Sequence, residues 1–402
     1  MAPYDLEIKF GTIYGLEEEE IVLKILRENA PTCGNYCIEF EKRFAEYIGT
    51  KYARAVTNGT SALFLSMIAL GVGPGTRVVT TPITWIATPA SAVTLGAEVD
   101  FVDVDENTYN IDVSLLEEKL TENTKVVIPV HLYGLPCDMD KLISLTNKYG
   151  FSIVEDACHA IGAEYRGKKV GSLGKLGCFS FHEQKNISTL GEGGMITTSD
   201  PELFEKISLY RSHATRVFGP TTKYCLLNES KFPQGKRFWW QDFDDCAYNF
   251  RMTDIQAGVG IVQLKKLDTL NKKRQAHAEY LTNALKTIPG IITPQTLQDR
   301  THVFHLYPIR IIPEEFGLTK EDLLWEMKEK YNIKLGTHYI PLHWSTAFQK
   351  RGFRRGQFPV AEKLAETLIT LPVHPRLTTE ALDYLVDAIS QISKYYRHNK
   401  SK

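Results

Sequence analysis

Residues 177–198 read GCFSFHEQKNISTLGEGGMITT, in which two short apolar runs flank a polar loop. The runs 178–181 and 195–198 have the length and composition typical of buried strands. Lys185 lies in the loop between them, ahead of the glycines of GEGG. Glycine lets the backbone pass close to a ligand, so the stretch predicts two strands joined by a loop that holds a lysine beside a ligand.

The same kind of alternation extends from about residue 53 to residue 200. Apolar residues at three- and four-residue spacing predict helices between the strand-like runs. The predicted strands are 77–81, 98–104, 125–130, 152–155, 178–181 and 195–198, and the predicted helices are 61–70, 85–95, 113–121 and 138–149. This is the pattern of a predominantly parallel sheet wound with crossover helices, so we expect a large α/β domain.

A second, smaller domain is expected after this one. The segment 253–285 lacks proline and starts with a threonine suited to capping, which predicts one long helix between the domains. Beyond it, a strand-rich stretch at 302–311 and helices at 320–331, 359–368 and 379–396 predict a compact α+β domain. We place the large domain at 1–265, with an irregular insertion at about 216–248, and the small domain at 266–402.

Composition limits the classes of function. The chain has 402 residues, 43% hydrophobic and 24% charged, as in ordinary globular proteins. Its 47 basic and 48 acidic residues nearly cancel, which argues against nucleic acid or an anionic membrane as partner and favours a small molecule. No stretch has transmembrane length, and the acidic run Glu17 to Glu20 is unlike a secretory signal. Seven scattered cysteines without C-x-x-C spacing indicate reduced thiols, no metal site and a cytoplasmic location.

Two residues at predicted strand ends carry the candidate chemistry. The segment 151–163, FSIVEDACHAIGA, places Asp156 at the tip of an apolar strand, where α/β sheets bind ligands. Lys185 follows a later strand, and a desolvated lysine is a good nucleophile near neutral pH. Taken alone, an aspartate at a strand end is more often a turn residue, and most lysines lie on the surface.

Three further features would complete a cofactor site. Asn58-Gly59-Thr60-Ser61 joins a strand to a helix, so free N–H groups of Thr60 and Ser61 would face an anion such as phosphate. Taken alone, such a turn is more often a capped helix start without a ligand. Ser180 would be another phosphate ligand, although an ordinary strand hydroxyl is an equally good reading. Trp85 in TTPITWIATPA could stack on a ring, although a large aromatic residue after a strand is usually part of the core. A lysine, an acid, a phosphate cradle and a flat aromatic group are what pyridoxal 5′-phosphate requires.

The chain resembles the DegT/StrS-type sugar aminotransferases, a branch of the fold type I pyridoxal-phosphate enzymes. The resemblance runs nearly end to end and rests on NGTSAL, GAEVDFVDVDENTYNID, PVHLYGLPCDMD, VEDACHAIGAEYRGKKVGSLG, SFHEQKN with GEGG, YNFRMTDIQA, HYIPLH, and FPVAEKLAE with LPVHP. It implies that Lys185 forms the Schiff base, Asp156 pairs with the pyridine nitrogen, Trp85 stacks on the ring and His159 meets the phenolic oxygen. By the same resemblance, the phosphate is bound by Thr60, Ser61, Ser180 and, from a neighbouring subunit, Asn249. A homodimer with shared active sites is therefore expected.

The resemblance also implies the reaction. Related dehydratases carry histidine where this chain has Lys185, so transamination is favoured. Glutamate or glutamine would convert the cofactor to pyridoxamine phosphate, and the Lys185 amine would move protons during transfer to a nucleotide-linked 4-keto-6-deoxy or 3-keto hexose. The alternatives are a keto-cyclitol acceptor and a cofactor-binding regulator without turnover. The intact lysine and cofactor residues argue against the regulator.

Substrate contacts are expected from less specific signals. His338 and His343 in THYIPLHW could line the substrate side, although lone histidines are more often structural. Arg237, in the aromatic and basic insertion, could contact a nucleotide. The spacing from Lys185 to Gly191 is one residue longer than in most relatives, which predicts a bulge in this loop.

Overall fold

The fold is described from a computed structural model of the chain, which describes residues 4, 6–7, 11–28, 33–217 and 241–400. The strands are β1 Tyr52–Val56, β2 Arg77–Thr80, β3 Glu98–Phe101, β4 Thr124–Val127, β5 Ser152–Asp156, β6 Glu164–Tyr165, β7 Lys168–Lys169, β8 Leu176–Ser180, β9 Gly194–Thr198, β10 Thr215–Val217, β11 Gln241–Phe243, β12 Ile291–Ile292, β13 Tyr307–Ile311 and β14 Leu368–Leu371. The helices are α1 Leu16–Arg27, α2 Asn35–Ile48, α3 Gly59–Ala69, α4 Ala87–Val93, α5 Met139–Tyr149, α6 Pro201–Tyr210, α7 Asp254–Leu285, α8 Pro313–Phe316, α9 Lys320–Tyr331, α10 Thr346–Gln349, α11 Pro359–Thr367 and α12 Thr379–Lys400.

Strands between Tyr52 and Thr198 form a seven-stranded sheet, in the order β1-β9-β8-β5-β4-β2-β3. The pairs from β3 across to β8 are parallel, and β9 runs antiparallel to both β8 and β1. Every residue of the core strands β5, β8 and β9 except Ser152 is buried, as expected for strands covered on both faces. The predicted mainly parallel α/β sheet is confirmed.

Helix α7 links the two hydrophobic cores. Thr253 caps it and forms a capping box with Gln256, as its sequence predicted. In its first half Leu264 and Leu267 pack in a core with Phe179 of β8 and Met195 of β9, and near its end Leu281 and Leu285 pack in the core beneath β13 and β14. The chain after α7 forms the three-stranded antiparallel sheet β12-β13-β14 with helices around it, in keeping with the predicted α+β unit. The boundary at 265/266 stays a prediction.

Several local predictions were wrong. Residues 113–121 form two short 3₁₀ turns, Val113–Leu115 and Glu117–Lys119, rather than an α-helix. The chain becomes extended at Leu120 to enter β4, which leaves too few residues for a longer helix. The predicted helix 359–368 is confirmed to within one residue as α11, but the strand β14 that follows it was not predicted. Helices α1 and α2 were not predicted.

The insertion at 216–248 lies largely outside the described residues. At its two ends β10 and β11 pair antiparallel, which brings Thr215 opposite Phe243. Across the described part of the chain, no helix is both long and apolar enough to cross a membrane.

A buried group of charges joins α2, β1 and the end of α6. The Glu41 carboxylate accepts hydrogen bonds from Arg54 Nη1 at 2.7 Å, Arg211 Nη1 at 2.9 Å and the Ala55 N–H at 2.9 Å. We expect Glu41→Gln to lower the free energy of unfolding by about 3–5 kcal/mol, because it removes the negative charge shared by two buried guanidinium groups. Urea unfolding followed by circular dichroism measures this change.

The control for this variant is Glu39→Gln on the same helix. Glu39 pairs with Arg43 at 2.6 Å, but both side chains are more than 40% exposed. Such a surface pair stabilises a protein by about 1 kcal/mol or less. If both variants unfold at the same urea concentration, the buried carboxylate does not have the structural role assigned to it.

Candidate active site

A cavity of about 470 Å³ opens at the carboxyl ends of the parallel strands. Asp156 ends β5 and Ser180 ends β8, so the two side chains meet at one edge of the sheet. The cavity is lined by most of the residues predicted from the sequence, namely Thr60, Trp85, Asp156, His159, Ser180, Lys185 and His338. Residues distant in sequence therefore meet in one pocket.

Lys185 lies in the loop that leaves β8, and its side chain lines the cavity. Its N–H donates to the His182 carbonyl at 2.9 Å, which closes a tight turn after the strand. Desolvation in the cavity wall lowers the pKa of the Lys185 amine, and the charges of the nearby Asp156 and Glu192 carboxylates oppose this shift. A lowered pKa increases the fraction of neutral, nucleophilic amine near neutral pH.

Asp156 is 5% exposed and each of its carboxylate oxygens accepts a hydrogen bond. Oδ1 accepts from the Cys158 N–H at 3.2 Å, and Oδ2 accepts from Thr88 Oγ1 at 2.7 Å. Thr84 Oγ1 lies 2.8 Å from Thr88 Oγ1. The carboxylate is thus held in one orientation at the floor of the cavity, as a partner for a protonated ring nitrogen must be.

The Asn58-Gly59-Thr60 turn forms another wall of the cavity. Thr60 is exposed to the cavity, but the N–H of Ser61 donates to Asn58 Oδ1 at 2.8 Å and its hydroxyl donates to the same atom. The prediction that the Ser61 N–H is free was therefore wrong, because Asn58 caps α3. A Cβ on Gly59 would lie 2.9 Å from Ser180 Cβ, so only glycine lets this turn pack against β8.

The imidazole of His159 is neutral, and its hydrogen bonds indicate which ring nitrogen carries the proton. Its Nδ1 accepts a long hydrogen bond of 3.4 Å from the Tyr133 N–H, so the proton is assigned to Nε2, which lies 3.2 Å from Tyr339 Oη. Burial and the charge of Lys185 lower the pKa of His159 well below its ordinary value. An Nε2–H group beside the cavity can donate to an oxygen of a bound ligand, which fits the predicted phenolic oxygen.

Trp85 stands at the cavity mouth with 61% of its surface exposed. Its ring centroid lies 6.0 Å from that of Tyr339, tilted by 51°. An indole with an open face beside a lysine and a carboxylate suits stacking on a flat ring.

The loop between Lys185 and GEGG contains two consecutive residues in the left-handed region, while the bulge expected from its extra residue stays a prediction. Leu190 and Gly191 both have positive φ, at 62° and 105°. The Leu190 N–H donates to the Tyr14 hydroxyl at 3.1 Å, and Glu192 lines the cavity. The loop therefore forms part of the cavity wall.

His338 and His343 have different positions although they are five residues apart. His338 lines the cavity, and its Nδ1 lies 2.7 Å from Thr370 Oγ1. Burial and the charge of Lys185 lower the pKa of His338 to about 4, so it is neutral. The placement of His343 on the substrate side was wrong. Its ring is buried, with Nε2 2.9 Å from Glu362 Oε1 and the Phe358 ring packed against it.

Asn249 does not line the cavity of the single chain. Asn249 is exposed, and its Oδ1 accepts from the Arg251 N–H at 3.1 Å. Its expected role in a neighbouring active site stays a prediction. Arg237 lies outside the described residues.

Several residues that line the cavity were not predicted from the sequence. Thr84, Thr88 and Tyr339 all line the cavity, and Cys158, to which we gave no chemistry, is half-buried in its wall. Thr84 and Thr88 flank Trp85 at a spacing of four residues, which would have placed them together on a helical turn. No comparable local signal relates Tyr339 to His159. Burial raises the pKa of the Cys158 thiol, so it stays protonated.

These residues fit pyridoxal phosphate. A lysine with a lowered pKa, a carboxylate held by two donors, a neutral histidine donor and an open tryptophan face line the same cavity. Thr60 and Ser180 border the turn whose close packing depends on Gly59. Each required kind of group is present, with the anion-binding turn at one side.

Comparison with known proteins agrees with this geometry. Residues 13–390 match the DegT/DnrJ/EryC1/StrS aminotransferase family. The chain is 35% identical to the spore coat polysaccharide biosynthesis protein SpsC of Bacillus subtilis, over 98% of this chain and 97% of SpsC. It is 34% identical to GDP-perosamine synthase of Caulobacter vibrioides, over 89% and 90% of the two chains. The structure of S. venezuelae DesV in complex with a ketimine intermediate superposes with a TM-score of 0.83 at 32% identity, covering 94% of each chain. The chain therefore belongs to the DegT/DnrJ/EryC1/StrS family of sugar aminotransferases and has the α/β fold of the fold type I pyridoxal-phosphate aminotransferases.

Proposed function

We propose that this protein transfers an amino group from glutamate or glutamine to a nucleotide-linked keto-sugar, with pyridoxal phosphate bound at Lys185. The observation that carries the proposal is the position of the Lys185 amine, which shares one cavity with Asp156 and has its pKa lowered by desolvation. A keto-sugar acceptor is supported by the similarity to GDP-perosamine synthase and to the polysaccharide biosynthesis protein SpsC.

Each residue has an assigned task in this proposal. The cofactor supplies a conjugated ring that withdraws electrons from the substrate carbon. Asp156 holds a proton at the ring nitrogen, and His159 donates Nε2–H to the phenolic oxygen. Trp85 covers the ring, while Thr60 and Ser180 bind the phosphate. Lys185 Nζ carries a proton to and from the carbon that exchanges its amino group, as a general acid and base.

A homodimer with shared active sites is part of the proposal. Asn249 is exposed and outside the cavity lining, so it can bind cofactor phosphate only in a second copy. A two-fold dimer gives each of two sites one such residue.

The test separates the two half-reactions. Purified holoenzyme is mixed with glutamate or glutamine alone, and loss of the absorbance band of the lysine-bound cofactor is followed. The donor is then removed from the aminated enzyme. Separate samples are mixed with a nucleotide-linked 4-keto-6-deoxy hexose, a nucleotide-linked 3-keto hexose or a keto-cyclitol, and the products are identified by mass spectrometry.

We expect one donor to remove the band and one nucleotide-linked keto-sugar to restore it with formation of an amino-sugar. Restoration by the keto-cyclitol alone would replace the proposed acceptor. A protein that binds pyridoxal phosphate but responds to neither donor would favour a regulator without turnover.

A further inference from the structure

Two threonine hydroxyls form a hydrogen-bonded chain that ends at Asp156. Thr84 Oγ1 lies 2.8 Å from Thr88 Oγ1, and Thr88 Oγ1 lies 2.7 Å from Asp156 Oδ2. Thr84 and Thr88 are 2% and 1% exposed, and both border the cavity. Thr88 belongs to the first turn of α4, whereas Asp156 ends β5, so the contact joins a helix to the central sheet.

The chemistry of the three groups determines which atom donates in each of these two hydrogen bonds. An ionised carboxylate can only accept hydrogen bonds, so Thr88 must donate its single hydroxyl proton to Asp156. Thr88 has no second proton for Thr84, and Thr84 must therefore donate to Thr88. Both protons point toward the carboxylate, and the hydrogen bonds in such a chain strengthen one another.

We propose that Thr88, supported by Thr84, is a positioning residue that fixes the Asp156 carboxylate against the ring nitrogen of the cofactor. The inference rests on the proposed function. The Cys158 N–H holds Oδ1 and the Thr88 hydroxyl holds Oδ2, so the carboxylate has a donor on each oxygen and one orientation. Without the Thr88 hydroxyl, the carboxylate is free to turn about its Cβ–Cγ bond, and its pair with the ring nitrogen weakens.

The experiment compares Thr88→Val with Thr88→Ser in the purified holoenzyme. Valine removes the hydroxyl with little change of shape, whereas serine retains it. For each variant we would measure the dissociation constant for pyridoxal phosphate and the pH midpoint of the absorbance change of the lysine-bound cofactor. Ser91→Ala is the matched control, because Ser91 is a buried hydroxyl on the same helix that donates to the Thr88 carbonyl at 2.7 Å rather than to Asp156.

We expect Thr88→Val to bind pyridoxal phosphate about ten-fold more weakly, as for loss of a hydrogen bond to a charged group. The pH midpoint of its cofactor absorbance change should move to higher pH. A ring nitrogen without a proton carries no positive charge, so a positive charge elsewhere on the conjugated system is easier to hold. Thr88→Ser and Ser91→Ala should resemble the unchanged protein.

Two results would overturn the proposal: a Thr88→Val protein that binds and titrates as the unchanged protein does, or a Thr88→Ser protein as impaired as Thr88→Val. If Thr88→Val fails to fold, the proposal is tested with Thr84→Val, which removes only the hydroxyl that donates to Thr88. A smaller upward shift of the midpoint then supports the chain, and an unchanged midpoint overturns it. Failure of the unchanged protein to bind pyridoxal phosphate would instead refute the proposed function.

Discussion

Replacing Lys185 by alanine is expected to slow amino transfer by about 10³-fold or more, while the protein stays folded and still takes up pyridoxal phosphate. The loss has two causes. The variant has no amine to bond the cofactor covalently, and it has no group in the same place to carry the proton. Because the side chain lines an open cavity rather than a packed core, its removal leaves the fold intact.

Single-turnover assays with the amino donor measure this loss, and the absorbance band of the lysine-bound cofactor should be missing. Added primary amines of low molecular weight should restore part of the rate, since they can enter the space left by the side chain. Lys168→Ala, at the exposed first residue of β7, is the control and should leave the rate unchanged. A Lys185→Ala protein with more than a tenth of the original rate would contradict the assigned role.

Asp156→Asn is expected to reduce the rate of amino transfer by roughly 10²-fold, the scale found when one preorganised electrostatic contact is removed from an active site. The amide has nearly the same shape but no charge, so it does not hold a proton at the ring nitrogen. The ring then withdraws fewer electrons from the substrate carbon. The pH midpoint of the cofactor absorbance should rise, as for Thr88→Val but further.

Asp103→Asn is a matched control for this change. Asp103 is also a buried carboxylate, and it accepts from the Val360 and Ala361 N–H groups at 2.9 Å each, away from the cavity lining. Its variant should lower stability while the cofactor absorbance titrates normally. Equal titration curves for Asp156→Asn and the unchanged protein would show that Asp156 does not pair with the cofactor.

The local features of the fold were predictable because they depend on neighbouring residues. Apolar strand-like runs that alternate with helical stretches predicted the parallel sheet. The Thr253 cap and the uninterrupted helical pattern after it predicted α7 to within one residue of its observed start. Predictions failed where context overrides local pattern. The run 368–371 continues the apolar pattern of α11, yet pairing with β13 makes it a strand.

The site could be predicted in part. Lys185, Asp156, Thr60, Ser180 and Trp85 lie beside strand ends, and parallel strands bring their ends to one edge of a sheet. His338 and His343 carried the same sequence signal, but only His338 reaches the cavity. The difference arises because Leu342–Trp344 turns into a short 3₁₀ helix, which directs His343 into the core against Glu362.

By itself, the sequence determined which residues can do the chemistry: a lysine and an aspartate after apolar strands, with an anion-binding turn before a helix. These follow from residue type and short spacing. Only the tertiary structure decided which groups support them. Thr88 contacts Asp156, which is 68 residues away in the sequence, and Tyr339 contacts His159, which is 180 residues away. Such contacts depend on the order of strands and on how the chain after α7 packs against the sheet, and no local pattern of residues encodes either.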